Sequence, residues 1–428
     1  MMEGLGFRPY EAYKDSHESW LGEVPADWQV GPGRICIYEN KDKNTGMKES
    51  TVLSLSYGRV IIKDGDKMTG LIPESYETYQ IVQPGDIIIR GTDLQNDVTS
   101  LRTGLAKDHG IITSAYINLR PKPNAYAEFL HYLLHSYDVK KVFYGLGSGL
   151  RQNLSYVDFK YLTIPLPSLP EQRAIVAFLD DKCAKIDGAV KIKEDQIALL
   201  RERRQIIIQD AVTRGLNPAA PMKDSGIDWI GQIPAHWDVV RFKYLFSQSR
   251  LPVRNDDEIV TSYRDGQVTL RSNRRLDGYT EAIIEGGYQG IRQGQLVLNS
   301  MDAFEGAIGV SDSDGKCTPE YVICDPNNSK INQYYFSYLL REMALAKYIQ
   351  VICNAVRQRA VRIRFNNLAT RFMAVPPLDE QKEIVDFIDA QKVKIAEAVA
   401  IKEQQIAALK EYKTSLINAA VTGKIKVI

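Results

Sequence analysis

The chain has 428 residues, 44% of them apolar and 25% charged, with a net charge of +1; these are the proportions of a globular protein with room for two or three domains. Such a balance excludes a protein that coats nucleic acid by charge alone. There is no run of about 18 apolar residues and no basic segment leading into an apolar one, so neither a membrane span nor a signal peptide is expected, and five cysteines without a C-x-x-C spacing fit free thiols in a reducing cytoplasm.

Read from the N-terminus, the chain is written twice. A leading segment rich in Trp and Pro runs from Lys14-Asp15-Ser16 to Val30, and Trp20, Gly22, Pro25, Ala26 and Trp28 return as Trp229, Gly231, Pro234, Ala235 and Trp237, an offset of 209 (229 minus 20). Glu171, Gln172, Ile175 and Phe178 return at the same offset as Glu380, Gln381, Ile384 and Phe387. A period this long is no solenoid of short repeats; it makes two copies of one unit. After each leading segment comes a body, about 30–165 and about 239–373. Short strand-like runs such as Gly85 to Arg90 and Gly294 to Asn299 stand between Gly and Asn/Asp turns there, and helical stretches follow near 126–144 and 333–350. The bodies are therefore mixed α and β.

Each copy then ends in a long helical pattern. Ile384, Ile388, Gln391, Ile395, Val399, Lys402, Ile406, Leu409, Lys413, Leu416 and Ala420 step by threes and fours, matched by Ile175, Leu179, Lys182, Ile186, Val190, Lys193, Ile197, Leu200, Arg204, Ile207 and Ala211. Ser168 and Glu171 offer a capping box, Gly215 and Gly423 stand where helices stop, and Gly188 is the one weak point. The expected segments are 1–166, 167–216 for the first long helix, 217–375, and 376–428 for the second. Two rods with equivalent seams bury them best against each other. The expected fold class is α+β: two globular bodies joined by long antiparallel helices in a coiled coil, with a pseudo-two-fold internal repeat.

A body followed by Pro165-Leu-Pro-Ser-Leu-Pro-Glu-Gln172 and a long helix, twice over, resembles the specificity (S) subunit of type I restriction-modification systems. Pro376 to Gln381, the two Trp/Pro segments Trp20 to Trp28 and Trp229 to Trp237, and Met301-Asp-Ala-Phe-Glu-Gly-Ala-Ile-Gly309 carry the resemblance too, which spans essentially the whole chain. It implies that each body is a target recognition domain reading one half of a bipartite, asymmetric site in double-stranded DNA, and that the helices set the spacer. It implies two methyltransferase (M) subunits as partners, with S-adenosylmethionine on them. Restriction/motor (R) subunits, with ATP and magnesium, are implied for cleavage. No cofactor and no catalytic residue are expected in this chain. Arg90-Gly-Thr-Asp93 stands where the second copy has Asn299-Ser-Met-Asp302.

Arg can grip guanine, Gln and Asn can pair with adenine, and glycine lets backbone approach phosphate. On that ground the loops Gly147 to Asn153, with Arg151, Gln152 and Asn153, and Asn354 to Arg359, with Arg357, Gln358 and Arg359, are candidate DNA contacts; the bland reading is a solvated turn. Arg271, Arg274 and Arg275 form a basic cluster suited to phosphate or plain surface. Arg90 and Asn299 end equivalent strands. Enzyme motifs fail: Val310 and Cys317 break a P-loop around Gly315-Lys316, Gly145-x-Gly-x-Gly149 follows a helix, and no Asn/Asp-Pro-Pro-aromatic tetrapeptide occurs. His131 and His135 share a helix face but belong to no metal set. The competing readings are a coiled-coil scaffold that binds only proteins and a self-sufficient DNA methyltransferase.

Overall fold

The structure is a computed structural model that describes residues 8–63, 75–97, 99–146, 152–274, 287–353 and 362–427. Each body is built on a four-stranded antiparallel sheet. In the first the strand order is Ile37–Glu39, Ile117–Pro121, Ile87–Ile89, Thr103–Leu105; in the second it is Phe246–Ser249, Tyr321–Pro326, Leu296–Asn299, Ile308–Val310. An inner strand shows why its sequence is continuously apolar rather than alternating. Ile87 and Ile89 face a large core and Ile88 a small one, just as Leu296 and Leu298 face one core and Val297 another. A strand covered on both faces has no solvent side to mark with polar residues.

The large core lies between that sheet and a helix, Ala127–Val139 in the first body and Gln333–Leu345 in the second. The small core is closed by a two-stranded pair, Gln80–Val82 with Gly110–Ile112 or Gln289–Ile291 with Gly315–Cys317. A hairpin completes it, Leu53–Ser56 with Arg59–Ile62 or Val260–Ser262 with Val268–Leu270. The Gly-Lys of the rejected P-loop is thus an antiparallel strand. The repeat keeps its offset through the framework and loses it in loops. The strands opening at Ile87 and Leu296 are 209 apart, those at Thr103 and Ile308 are 205 apart, the body helices at Ala127 and Gln333 are 206 apart, and the closing strands at Thr163 and Phe372 are again 209 apart.

The long helices span Leu169–Arg214, 46 residues, and Leu378–Val421, 44 residues, each about 65–70 Å at 1.5 Å per residue. The compact units do not follow chain order. One comprises Met1–Glu194 with Glu403–Ile428, the other Asp195–Lys402, so each body is completed by the start of its own helix and the end of the other copy's. In the first unit Ile175 and Leu179 share the large core with Leu416, Ala420 and Val421, and Lys413 Nζ lies 2.7 Å from Asp187 Oδ1. In the second, Ile384 and Ile388 share theirs with Ala211 and Val212.

The repeated Trp, Pro, Gly, Glu and Gln residues are the fittings of this arrangement. Gln172 is fully buried: its Nε2 donates to the carbonyls of Pro167 (2.8 Å) and Asn124 (3.2 Å), and its Oε1 accepts from the Tyr126 amide (2.7 Å). Gln381 repeats the set with Pro376, Lys330 and the Asn332 amide. One side chain thereby ties the start of a long helix to the start of the body helix. Gly423 (φ +70°) and Gly215 (φ +73°) end the long helices in the left-handed region that only glycine enters freely. Gly423 lies against Pro25 and Trp28, and Gly215 against Pro234 and Trp237, so each Trp/Pro segment receives the end of the other copy's helix. Glu171, half of the expected capping box, accepts from Trp28 Nε1 (3.1 Å) and the Tyr10 hydroxyl (2.7 Å).

Candidate nucleic-acid interface

Three segments meet at one end of each sheet. In the first body they are the tip of the hairpin at Tyr57-Gly58, the loop after Ile87–Ile89, and the stretch from Gln152 to Leu154. Gly58 abuts Leu101, Leu154 N donates to Gly91 O (2.7 Å), and Asp93 N donates to Asn153 Oδ1 (2.9 Å). In the second body the hairpin tip, Arg264 to Gln267, meets the loop after Leu296–Asn299, where Gly306 lies against Arg264 O and Gly309 against Gly266 O. The Ser300 hydroxyl donates to Ile363 O (2.7 Å). Loops gathered on a rigid sheet end are where recognition is usually carried.

The expected site residues can be placed on this frame. Arg90 leaves its strand and pairs with Asp97 at 3.3 Å; hydrogen bonds from Ser100, then the Thr99 amide and the Arg90 charge, hold the Asp97 carboxyl down at about 2. Gln152 has φ +47° and donates to Tyr144 O (3.3 Å). Asn153 is spent on orienting Asp93. Asn299 Nδ2 donates to Asp302 Oδ2 (3.3 Å), and its Oδ1 accepts from the Met301 amide (3.2 Å), so it shapes the turn. Arg274 lies over the Tyr263 ring (4.1 Å) and donates to both oxygens of Asp265 (3.0 and 2.8 Å). Arg271 donates from Nε to Thr261 Oγ1 (3.4 Å). The structure therefore gathers Arg90, Gln152 and Asn153 in one body and Arg274 and Asn299 in the other. Arg151, Arg275, Arg357, Gln358 and Arg359 lie outside the described residues.

Four residues of these surfaces are absent from the sequence-based set. Arg264, at the second hairpin tip, donates to Asp302 (2.9 Å) and pairs with Glu305; through Asp302 it is linked to Asn299. Arg341 donates to Asp265 O. Arg102 is fully buried, with its guanidinium donating to the carbonyls of Arg90 (3.2 Å), Thr92 (2.8 Å), Asp93 (3.3 Å) and Asp97. Tyr57 stands at the first hairpin tip, 95% exposed. Arg264 was findable, since Asp265-Gly266 beside it marks a hairpin tip between two strand-like runs. Nothing local marks Arg102 as buried.

On these surfaces Arg90, Arg264 and Arg274 are paired with carboxylates. A surface ion pair is worth about 0–1 kcal/mol, so a phosphate can displace the carboxylate at little cost, and a guanidinium has five N–H groups to share. Among the described residues no group of His, Cys, Asp and Glu could hold a metal. The His131 and His135 rings lie tilted to each other with centroids 6.1 Å apart, and burial takes the His131 imidazole down to about 4. No helix among the described residues is long and apolar enough to cross a membrane.

Known proteins share this construction. Residues 34–196 match the family model of the type I restriction modification DNA specificity domain. A protein of Methanocaldococcus jannaschii provisionally named the type I restriction enzyme MjaX specificity subunit is 22% identical, with 99% of both chains covered. The EcoDI specificity subunit of Escherichia coli is 24% identical over 60% of this chain and 61% of its own. The HsdS subunit from Thermoanaerobacter tengcongensis superposes on 94% of this chain and 98% of its own with a TM-score of 0.54 and 16% identity. A chain solved in work on assembly and conformational transition of the type I R-M system does so over 93% and 98%, with a TM-score of 0.66 and 16% identity. The fold is shared with both. These similarities support a specificity (S) subunit of a type I restriction-modification system.

Proposed function

We propose that this chain reads the DNA sequence for a type I restriction-modification complex and is itself non-catalytic. Each body recognises one half of a bipartite site, and the long helices, paired antiparallel about a pseudo-two-fold axis, fix the spacer and dock two methyltransferase subunits. S-adenosylmethionine is carried by those partners, and ATP and magnesium by restriction/motor subunits; the assembly works on cytoplasmic DNA. The observation that carries this reading is the three-segment surface, built on the same strand order in both bodies but furnished with unlike side chains: Tyr57 and Arg90 against Arg264 and Arg274. Equivalent frames with different readers predict unlike half-sites. Two heads on one chain also gain from a high effective concentration on one duplex.

The test is to co-express the chain with its cognate methyltransferase subunit and map modified adenines at single-base resolution. A split, asymmetric motif that disappears without this chain is expected. Modification by the chain alone would instead make it an enzyme, and a verified complex that leaves no motif would make it a protein-binding scaffold.

A further inference from the structure

The hairpin Leu53–Ser56/Arg59–Ile62 is closed by two residues, Tyr57 and Gly58, with Ser56 opposite Arg59 in the register. Both closing residues have positive φ, +47° and +76°, the pattern of a type I′ turn. Asn-Gly or Asp-Gly is the usual pair there, because a residue with a bulky Cβ substituent is strained at positive φ. A tyrosine in that place costs stability, and its ring recovers none by packing, since it is almost wholly exposed. Strain kept without a packing return points to a use outside the fold.

The surroundings say which use. Val60 turns into the small core while Arg59 and Ile61 turn out, and Ile61 and Ile62 are exposed. From Leu53 to Lys63 the chain carries two cations, Arg59 and Lys63, and no acid. Gly58 rests on Leu101, within the loop that Arg90 opens, so the tip belongs to the three-segment surface. A protruding aromatic on a hairpin whose returning strand carries cations is suited to a polyanion with flat, apolar interior faces, which is a nucleic-acid duplex. A protein partner of acidic character would satisfy Arg59 and Lys63 but gives no reason for a strained ring.

We propose that this hairpin is a DNA-contacting finger of the first body, with the Tyr57 ring entering a groove against base edges and sugars while Arg59 and Lys63 meet the flanking phosphates. The inference rests on the DNA-reading function above and adds a contact that the second body lacks, since in its longer hairpin tip Tyr263 is covered by Arg274, while Arg264 and Asp265 are exposed. The test uses the complete complex with the methyltransferase and a duplex carrying the mapped motif. Tyr57→Asn places the favoured turn residue, so the thermal midpoint of the chain should hold or rise while affinity falls about tenfold, the scale of one stacking or groove contact. Tyr57→Phe should bind within about twofold of the parent. Arg59→Ala should lower the slope of log affinity against log salt by about 1, and Tyr57→Asn should leave that slope unchanged.

Parent-like binding by Tyr57→Asn overturns the finger. So does a loss of affinity that comes with a loss of thermal stability, or an equal loss in Tyr57→Phe. A parent complex that retains the duplex no better than a scrambled one overturns the DNA-reading function itself.

Discussion

The loop 90–102 of the first body and the loop 300–307 of the second leave equivalent strands and are held by opposite means. In the first, Arg102 sits under the loop and binds four of its carbonyls from inside. In the second, Ala307 takes that position, the loop closes as the short 3-10 turn Ala303–Glu305, and Asp302 and Glu305 reach outward to the exposed Arg264. A buried cation under carbonyl dipoles is little screened by salt, whereas exposed pairs are screened strongly. The first loop is therefore a preformed shape. The second is a set of charges that a polyanion competes for. One frame thus supports two modes of recognition.

The largest effect is expected from removing the inner cation. Arg102→Met keeps most of the apolar bulk but strips the donors from four carbonyls, at a cost of about 3–5 kcal/mol. Hydrogen exchange along the full chain should lose protection across the loop and its strands in the first body and leave the second body unchanged. The comparison can be sharpened with salt alone. Raising it should loosen 300–307 and not 90–102, and equal loosening of both would mean that Arg102 is not what holds the first loop.

A second effect separates the two places where a long helix ends. A Cβ on Gly423 would stand 2.2 Å from Pro25 Cδ, a ring that cannot swing aside, whereas one on Gly215 would meet the end of the Glu380 side chain at 2.9 Å and Trp237 at 3.2 Å. Both glycines have positive φ, so alanine is strained at either. Gly423→Ala is expected to cost about 2–3 kcal/mol and Gly215→Ala about 1–2 kcal/mol, read from urea midpoints of the full chain. The reverse order would show that the two Trp/Pro segments do not grip their helix ends as the contacts indicate.

Those glycines also mark what the sequence could yield. Periodicity located the long helices, because a helix records its buried face every three or four residues. Gly215 and Gly423 were legible as stops for the same local reason. That each stop seats on the Trp/Pro segment of the other copy was not legible, since the partners are far apart in the chain and share no period. The site divides likewise. Arg90 and Asn299 could be placed at strand ends from their apolar runs, but their engagement with Asp97 and Asp302 depends on how the following loops fold back. Tyr57 went unread because tyrosine is a poor turn residue, and the rule that finds hairpins looks for asparagine before the glycine.

The smallest effect comes from a pair of equivalent positions on the body helices. Ser136 donates to Asn418 Oδ1 (3.0 Å) in the first unit. In the second, 206 residues on (342 minus 136), Glu342 is buried against Gln205, whose Nε2 donates to both of its oxygens (2.7 and 2.8 Å). Burial pushes the Glu342 carboxyl up from 4.5 to about 7; the Gln205 hydrogen bond, then the charge of Arg341, oppose the rise. Between those values the folded unit holds a proton that the unfolded chain has released, so the stability change with pH is negative. The contribution is whole below about pH 4.5, declines as pH rises toward 7, and is gone above it. Glu342→Gln keeps the neutral form at every pH, and should stabilise the second unit by on the order of 1–2 kcal/mol at pH 8 while changing little at pH 5. Hydrogen exchange read separately in each unit at the two pH values checks this. Ser136 does not titrate, so the first unit serves as the internal reference. A gain at pH 8 that persists undiminished at pH 5 would mean that the carboxylate enters the fold already charged, with Gln205 and Arg341 compensating its burial in full.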